Sequence, residues 1–258
     1  MTAKQIITLI TGANQGLGWE VAKNLILSSA SYHVVIGSRD PSKGAKAVAD
    51  LQALPDIKGT LDTLEIEVTD DKSVDAAAET FAAKYGRLDV LVNNAGIAGI
   101  LGIPRELAAV RRDNLREVLN VNVIGAASVT EAFLPLLRKS DEPRLIFVGS
   151  SMGSIIGASD PNSPYYRPSA TEYRASKAAL NMLMVQYHHI LGLEDKKWKV
   201  LTVDPGVNAT NFVGDVEALR ARGAPEPHVG GAVIAAAVKG ERDADVGKMV
   251  GKYGVSPW

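Results

Sequence analysis

Tyr173 and Lys177 stand four residues apart in Tyr173-Arg174-Ala175-Ser176-Lys177. On a helix that spacing puts a phenol and an ammonium one turn apart on the same side. The pair can form one acid/base device in which the phenol handles a proton and the ammonium tunes it. A free tyrosine titrates near pH 10, so working near neutrality needs about three units, or roughly 4 kcal/mol, of preference for the phenolate. One cation at about 4 Å in an effective dielectric near 20 supplies about that much. The helix itself is predicted by the recurrence of Ser176, Ala179, Leu180, Leu183, Met184, Tyr187, Ile190 and Leu191 at three- and four-residue steps, one mostly apolar stripe. His188 and His189 fall on its later turns, where packing or exposure is expected rather than chemistry.

Such a device needs a cofactor site in the same chain, and the N-terminal region has the pattern of one. Gln5-Ile6-Ile7-Thr8-Leu9-Ile10 reads as a buried strand running into Thr11-Gly12-Ala13-Asn14-Gln15-Gly16-Leu17-Gly18. Leu17, Val21 and Leu25 then keep helical spacing. A glycine-rich turn between a strand and a helix N-terminus leaves free N–H groups aimed at a pyrophosphate and lets the ligand approach the backbone closely. Three residues, then one, separate Gly12, Gly16 and Gly18, unlike the common G-x-G-x-x-G.

The pattern T-G-x-x-x-G-x-G, followed about 160 residues later by Y-x-x-x-K, resembles the short-chain dehydrogenase/reductase family. Further marks follow in order: Leu88-Asp89-Val90-Leu91-Val92-Asn93-Asn94-Ala95-Gly96, Asn120-Val121-Asn122-Val123-Ile124-Gly125, Leu145-Ile146-Phe147-Val148-Gly149-Ser150-Ser151, Asp204-Pro205-Gly206-Val207-Asn208-Ala209-Thr210 and the ending Gly254-Val255-Ser256-Pro257-Trp258. The resemblance covers essentially the whole chain. It implies a catalytic set of Asn122, Ser151, Tyr173 and Lys177, with Asn120 and Ser150 as neighbouring competitors. Ser151 would bond a substrate carbonyl, Tyr173 would give or take the proton, Lys177 would lower the tyrosine pKa and hold the nicotinamide ribose, and Asn122 would position a proton-relaying water. The implied cofactor residues are Gly12, Asn14, Gln15, Gly16, Leu17, Gly18, Ser38, Arg39, Glu67, Val68, Asn94, Ala95, Gly96, Tyr173, Lys177, Pro205, Gly206, Val207 and Thr210.

The end of the second strand, Val34-Val35-Ile36-Gly37-Ser38-Arg39-Asp40, bears on which dinucleotide is used. An acidic residue there binds a ribose diol and repels a 2′-phosphate. Ser38 and Arg39 instead suit NADP(H), since a guanidinium makes paired charge-assisted bonds to phosphate. Asp40 could take the ribose if the register shifts, and Gln15 stands where many NADP-using relatives carry a basic residue.

The 258 residues, 46% hydrophobic and 22% charged, suit one domain over 1–258. Apolar runs near 33–37, 61–66, 88–92, 144–149 and 198–203 alternate with helical patterns. The fold class expected is α/β: a single-domain, Rossmann-like doubly wound parallel sheet with helices on both faces and ligands at the carboxyl ends of the strands. Residues 208–227 look like a lid-like crossover. A net charge of −1 without a basic cluster argues against a nucleic-acid partner. No 18-residue apolar span is expected to cross a membrane. Zero cysteines exclude disulfides and thiolate metal sites, and no metal is expected. The expected location is cytoplasmic, and the family resemblance implies a homo-dimer or homo-tetramer. Ser151 and Tyr173 are 22 residues apart, wider than is usual in the family, so Ile155 to Thr171 reads as carrying an insertion able to line a substrate pocket.

The expected activity is NADPH-dependent reduction of a carbonyl, or oxidation of the alcohol, on a small or medium organic substrate such as a cyclic ketone. Imine or C=C reduction on the same scaffold and a non-catalytic NADP-sensing protein are the alternatives.

Overall fold

The β-branched runs of the sequence become strands in the computed structural model, which describes residues 5–100, 110–194 and 197–258. The strands are β1 (Ile6–Thr11), β2 (Tyr32–Ser38), β3 (Thr60–Glu65), β4 (Val90–Asn93), β5 (Arg144–Val148), β6 (Lys199–Asp204), β7 (Met249–Gly251) and β8 (Gly254–Ser256). They form one sheet in the order β3-β2-β1-β4-β5-β6-β7-β8, parallel except for the β7/β8 pair. In β1, Thr8 lies opposite Val34 of β2 on one side and Val90 of β4 on the other, so the strand order reverses about β1. Ligands of such sheets bind beyond the carboxyl ends at that reversal.

The helices are α1 (Gly16–Ser28), α2 (Pro41–Gln52), α3 (Asp71–Tyr85), α4 (Arg112–Leu119), α5 (Ala126–Leu137), α6 (Ile155–Ser159), α7 (Thr171–Leu191), α8 (Val216–Ala221) and α9 (Pro227–Val238). Alternating strand residues feed two cores. Ile7 and Leu9 pack with Phe81 of α3, Phe133 of α5 and Met184 of α7. Ile10 packs on the other face with Val21 and Leu25 of α1, Leu51 of α2 and Ile234 of α9. This two-sided burial makes the expected α/β doubly wound arrangement, with helices on both faces.

Four features go against or beyond the sequence expectations. The continuous helical run Arg112–Leu137 is long and apolar enough to cross a membrane by length and composition, although no such span was expected. Val118, Val129, Phe133 and Leu137 of that run are fully buried in the protein, which accounts for its apolarity. Within the run, Asn120–Gly125 is a π-helix rather than α. Ile190 leaves the apolar stripe of α7 and is 56% exposed. Finally, β7 and β8, three residues each, were not anticipated as strands; Gly254–Ser256 of the expected ending folds back on β7. In the 208–227 segment, α8 buries none of its residues and is held by Arg220, which pairs with both Glu217 and Glu226.

Candidate active site

Tyr173 and Lys177 reach the sheet edge because the turn after β5 packs closely, against α7 at Gly153 and against β6 at Gly149. A Cβ on Gly153 would lie 2.6 Å from the carbonyl carbon of Lys177, and one on Gly149 would lie 2.2 Å from Thr202 Cγ2. The turn after β5 therefore seats directly on the α7 backbone. Lys177 is buried, its Nζ donates to the Val148 carbonyl at 2.7 Å, and it lies 5.6 Å from the centroid of the Tyr173 ring. Burial pushes the Lys177 pKa down to about 8, against the opposing pull of the Asp204 carboxylate. The Tyr173 hydroxyl is held well above its ordinary value, first by burial and then by Asp204, while a hydrogen bond with Ser150 acts in the opposite direction. The expectation that Lys177 lowers the tyrosine pKa is corrected here. The ammonium lies over the ring and serves a strand carbonyl, so desolvation of the phenol dominates. What results is a phenol kept protonated, ready to donate. Phe212 meets the Tyr173 ring edge-on, with centroids 5.8 Å apart.

The two serines divide their work. Ser151 is buried; its N–H donates to Asp204 Oδ2 at 2.8 Å, and its hydroxyl donates to the same oxygen. Ser150 is half-buried, accepts from Met152 N at 3.2 Å to cap the short 3₁₀ turn Ser151–Gly153, and is the serine bonded to Tyr173. Ser150 is extended, with φ −165° and ψ 141°. Successive side chains of an extended segment point to opposite sides, so the expected Ser151 faces away from Tyr173 and its competitor Ser150 faces toward it. Spacing alone does not separate adjacent serines; the preference of serine for a helix cap is the one signal that favours Ser150.

Asn122 lies on the π-helical segment, buried, and its amide is fully used. Its Nδ2 donates to Ile97 O at 2.9 Å and to Ser176 Oγ at 3.0 Å, and its Oδ1 accepts from Ile97 N at 2.8 Å. Ser176 in turn donates to the Tyr173 carbonyl at 2.7 Å. Asn122 thus braces the start of α7 through its side chain. Asn120 is half-buried.

The glycine loop has the features a dinucleotide pyrophosphate requires. Gly12 and Gly16 have φ of +64° and +60°, which disfavours any side chain, and a Cβ on Gly16 would meet only open space. Gln15 precedes α1 without a side-chain cap, and the first turn of α1 carries no acidic residue, so its N–H groups face an anion unopposed. Asn14 is half-buried, Gln15 and Gly16 are exposed, and Leu17 packs against the core. The Asn94 turn fixes the loop from below: Asn94 Nδ2 donates to Thr11 O at 2.8 Å, and Asn94 N and Ala95 N both donate to Thr11 Oγ1 at 3.0 Å. A Cβ on Gly18 would come within 2.6 Å of Asn94 Nδ2, and one on Gly96 within 3.1 Å of Asn122 Oδ1.

At the end of β2, Ser38 is buried and its hydroxyl is occupied by Asp40, donating to the carbonyl at 2.9 Å. Asp40 is the N-cap of α2, its carboxylate accepting from Ser42 N at 3.0 Å and Lys43 N at 3.2 Å. The cap uses Oδ1, while Oδ2 lies 3.7 Å from Lys43 Nζ. Arg39 is 79% exposed and lies 3.8 Å from Glu67, whose other oxygen accepts from Thr69 N at 3.1 Å. Val68 is buried beneath Gly125, where a Cβ would lie 2.8 Å from the Val68 carbonyl. Of the Ser38–Arg39 pair, then, Arg39 alone presents a group to solvent.

Beyond β6, Asp204 Oδ1 accepts from Gly206 N at 2.9 Å, which fixes the Pro205-Gly206 turn, with Gly206 at φ +72°. Asn208, absent from the expected set, is buried and ties the turn from within, donating to Gly206 O at 2.9 Å and accepting from Gly230 N at 3.0 Å. Val207 is 61% exposed and Thr210 half-buried. Asp204 is the other residue missed: a carboxylate that joins the Ser151 turn to the Gly206 turn and acts electrostatically on both Tyr173 and Lys177.

Known proteins resemble this chain along most of its length. The family model described as short chain dehydrogenase matches residues 6–220. The short-chain dehydrogenase/reductase tropE of Talaromyces stipitatus is 39% identical, over 95% of this chain and 95% of its own length. The (+)-neomenthol dehydrogenase of Arabidopsis thaliana is 36% identical over 57% of this chain and 55% of its own. Among solved structures, an NADPH-bound carbonyl reductase from chicken fatty liver superposes with a TM-score of 0.74, at 25% identity, covering 99% of this chain and all of the other.

Proposed function

The chain belongs to the short-chain dehydrogenase/reductase family, and from that premise we propose that it is an NADPH-dependent reductase of carbonyl groups on small or medium organic substrates, running in reverse as an alcohol dehydrogenase. One arrangement carries the reading: the Tyr173 hydroxyl within reach of Ser150, beside the buried Lys177 whose Nζ lies 5.6 Å from the centroid of the phenol ring. The glycine loop fits a dinucleotide, since Gly12 and Gly16 are left-handed and the α1 N-terminus has neither cap nor acid.

When bound, the nicotinamide supplies the hydride for reduction or accepts it in oxidation. The α1 N–H groups and Gly12, Gly16 and Gly18 would hold its pyrophosphate, and Arg39 the 2′-phosphate. The Pro205–Val207 turn would face the carboxamide. Ser150 donates a hydrogen bond to the substrate carbonyl oxygen, and Tyr173 gives its proton to that oxygen as negative charge develops there. In oxidation the same hydroxyl must first be deprotonated. Lys177, buried over the phenol ring, would hold the nicotinamide ribose, and Asp204 holds the turns that carry Ser150 and Gly206 in register. NADPH oxidation at 340 nm with a carbonyl panel tests the reading. Turnover that disappears in Tyr173→Phe supports it; tight NADPH binding with no turnover of any carbonyl would overturn it.

A further inference from the structure

Arg174, the residue after Tyr173, reaches into the segment inserted before α7. Its Nη1 donates to the Arg167 carbonyl at 3.0 Å and its Nη2 donates to the Tyr165 carbonyl. Its backbone N–H donates to Ala170 O at 2.9 Å. Ala170 has φ +52°, left-handed for a residue with a side chain, a strain that persists where surrounding bonds over-determine the backbone. The segment is also closed on itself: Tyr165 N donates to Ser163 Oγ at 3.1 Å, Tyr166 N to Ser163 O at 3.0 Å, and Ser169 N to Arg167 O at 3.0 Å. The guanidinium serves the two carbonyls from two nitrogens held in one plane, whereas a lysine would have to serve both from a single nitrogen on a flexible stem.

The inserted segment leaves apolar surface facing solvent, on the clamped loop and on α6 ahead of it. Tyr166 is 54% exposed, and Ile155 and Ile156 at the start of the insertion are 70% and 59% exposed. On the Tyr173 ring itself sits Phe212, from the crossover after β6. Aromatic rings such as these prefer stacked or edge-on contact with another ring, with little loss of side-chain freedom.

Building on the reductase reading above, we propose that Arg174 is a positioning residue that holds residues 163–169 as a fixed wall beside Tyr173, and that this wall selects substrates carrying a carbocycle or aromatic ring over short open-chain carbonyls. The clamp is a property of the free protein and the selection a property of its turnover, so the two are read separately.

Amide hydrogen exchange on the intact chain without substrate tests the clamp. Exchange across 163–169 should quicken about tenfold or more in Arg174→Ala, and also in Arg174→Lys, with α7 beyond its first turn unchanged; unchanged loop exchange would overturn the proposal. The selection is tested with NADPH and two probes, cyclohexanone and propanal. In Arg174→Lys the ratio of kcat/KM for cyclohexanone over propanal should fall about tenfold, chiefly through KM. An unaltered ratio with a loosened loop would overturn the selective wall. A wild-type chain that reduces neither probe while Tyr173→Phe abolishes turnover of some other carbonyl would also overturn the ring preference and leave the reductase reading standing.

Discussion

Ser151 and Asp204 are joined twice, the serine giving both its N–H and its hydroxyl to one carboxylate oxygen, and this leaves the adjacent Ser150 to face Tyr173. The two serines should consequently fail differently. Ser150→Ala removes a donor aimed at the carbonyl oxygen and should lower kcat about 10²-fold with little change in unfolding midpoint. Ser151→Ala should cost about 1–2 kcal/mol of stability in urea and keep most of the turnover. Comparable losses of kcat in both variants would sink the assignment.

Asp204 holds the pKa of Tyr173 and of Lys177 up. Oxidation of an alcohol needs the phenolate, so its rate climbs as pH rises toward the Tyr173 pKa. Removing the charge in Asp204→Asn lowers that pKa, and the climbing limb should move to lower pH, while the alkaline fall in reduction begins earlier. A purely structural role would lower the rates and leave both limbs in place.

Burial lowers Lys177 from 10.5 to about 8. Between those values the unfolded chain binds the proton and the folded one does not, so stability rises with pH over that window. Relative to Lys177→Met, the wild type should therefore gain about 3 kcal/mol between pH 7 and pH 10.5. Parallel stability curves for the two proteins over that range would rule out a depressed Lys177.

Arg39 is exposed beside the end of β2, while the Ser38 hydroxyl is taken by the Asp40 backbone and Asp40 Oδ1 by the α2 cap. If its guanidinium meets a 2′-phosphate, Arg39→Ala should raise KM for NADPH about tenfold or more and leave KM for NADH within about twofold. Equal changes for both, or faster wild-type turnover with NADH, would count against NADP(H).

Much of this was legible in the sequence because the signals are periodic or conformational. The six long parallel strands lie within two residues of the β-branched runs, and the helix carrying Tyr173 and Lys177 runs from Thr171 to Leu191 as its stripe requires. Gly12 and Gly16 have the left-handed backbone that their place in the loop demands. What escaped depends on contacts between distant segments. Three-residue strands such as β7 are too short for a period to emerge. The π-helical turn at Asn120–Gly125 has no composition of its own, so the winding that sets Asn122 apart from Asn120 could not be read from their spacing. Ser150 and Ser151 differ by one step of an extended chain, which is a half-turn in direction. Asp204 could not be read at all, because its partners lie 53 residues before it and two residues after it.

The contact of Gly153 with the Lys177 backbone has a consequence for how this molecule could vary. Because the serine turn rests on α7 itself, the reacting groups are locked together at both ends of the intervening stretch and do not rely on it for their alignment. Residues 155–170 are in that sense an exchangeable cassette. A segment of another length or composition, grafted between the same two anchor points, should alter which molecules the site admits while the proton-transfer machinery stays assembled.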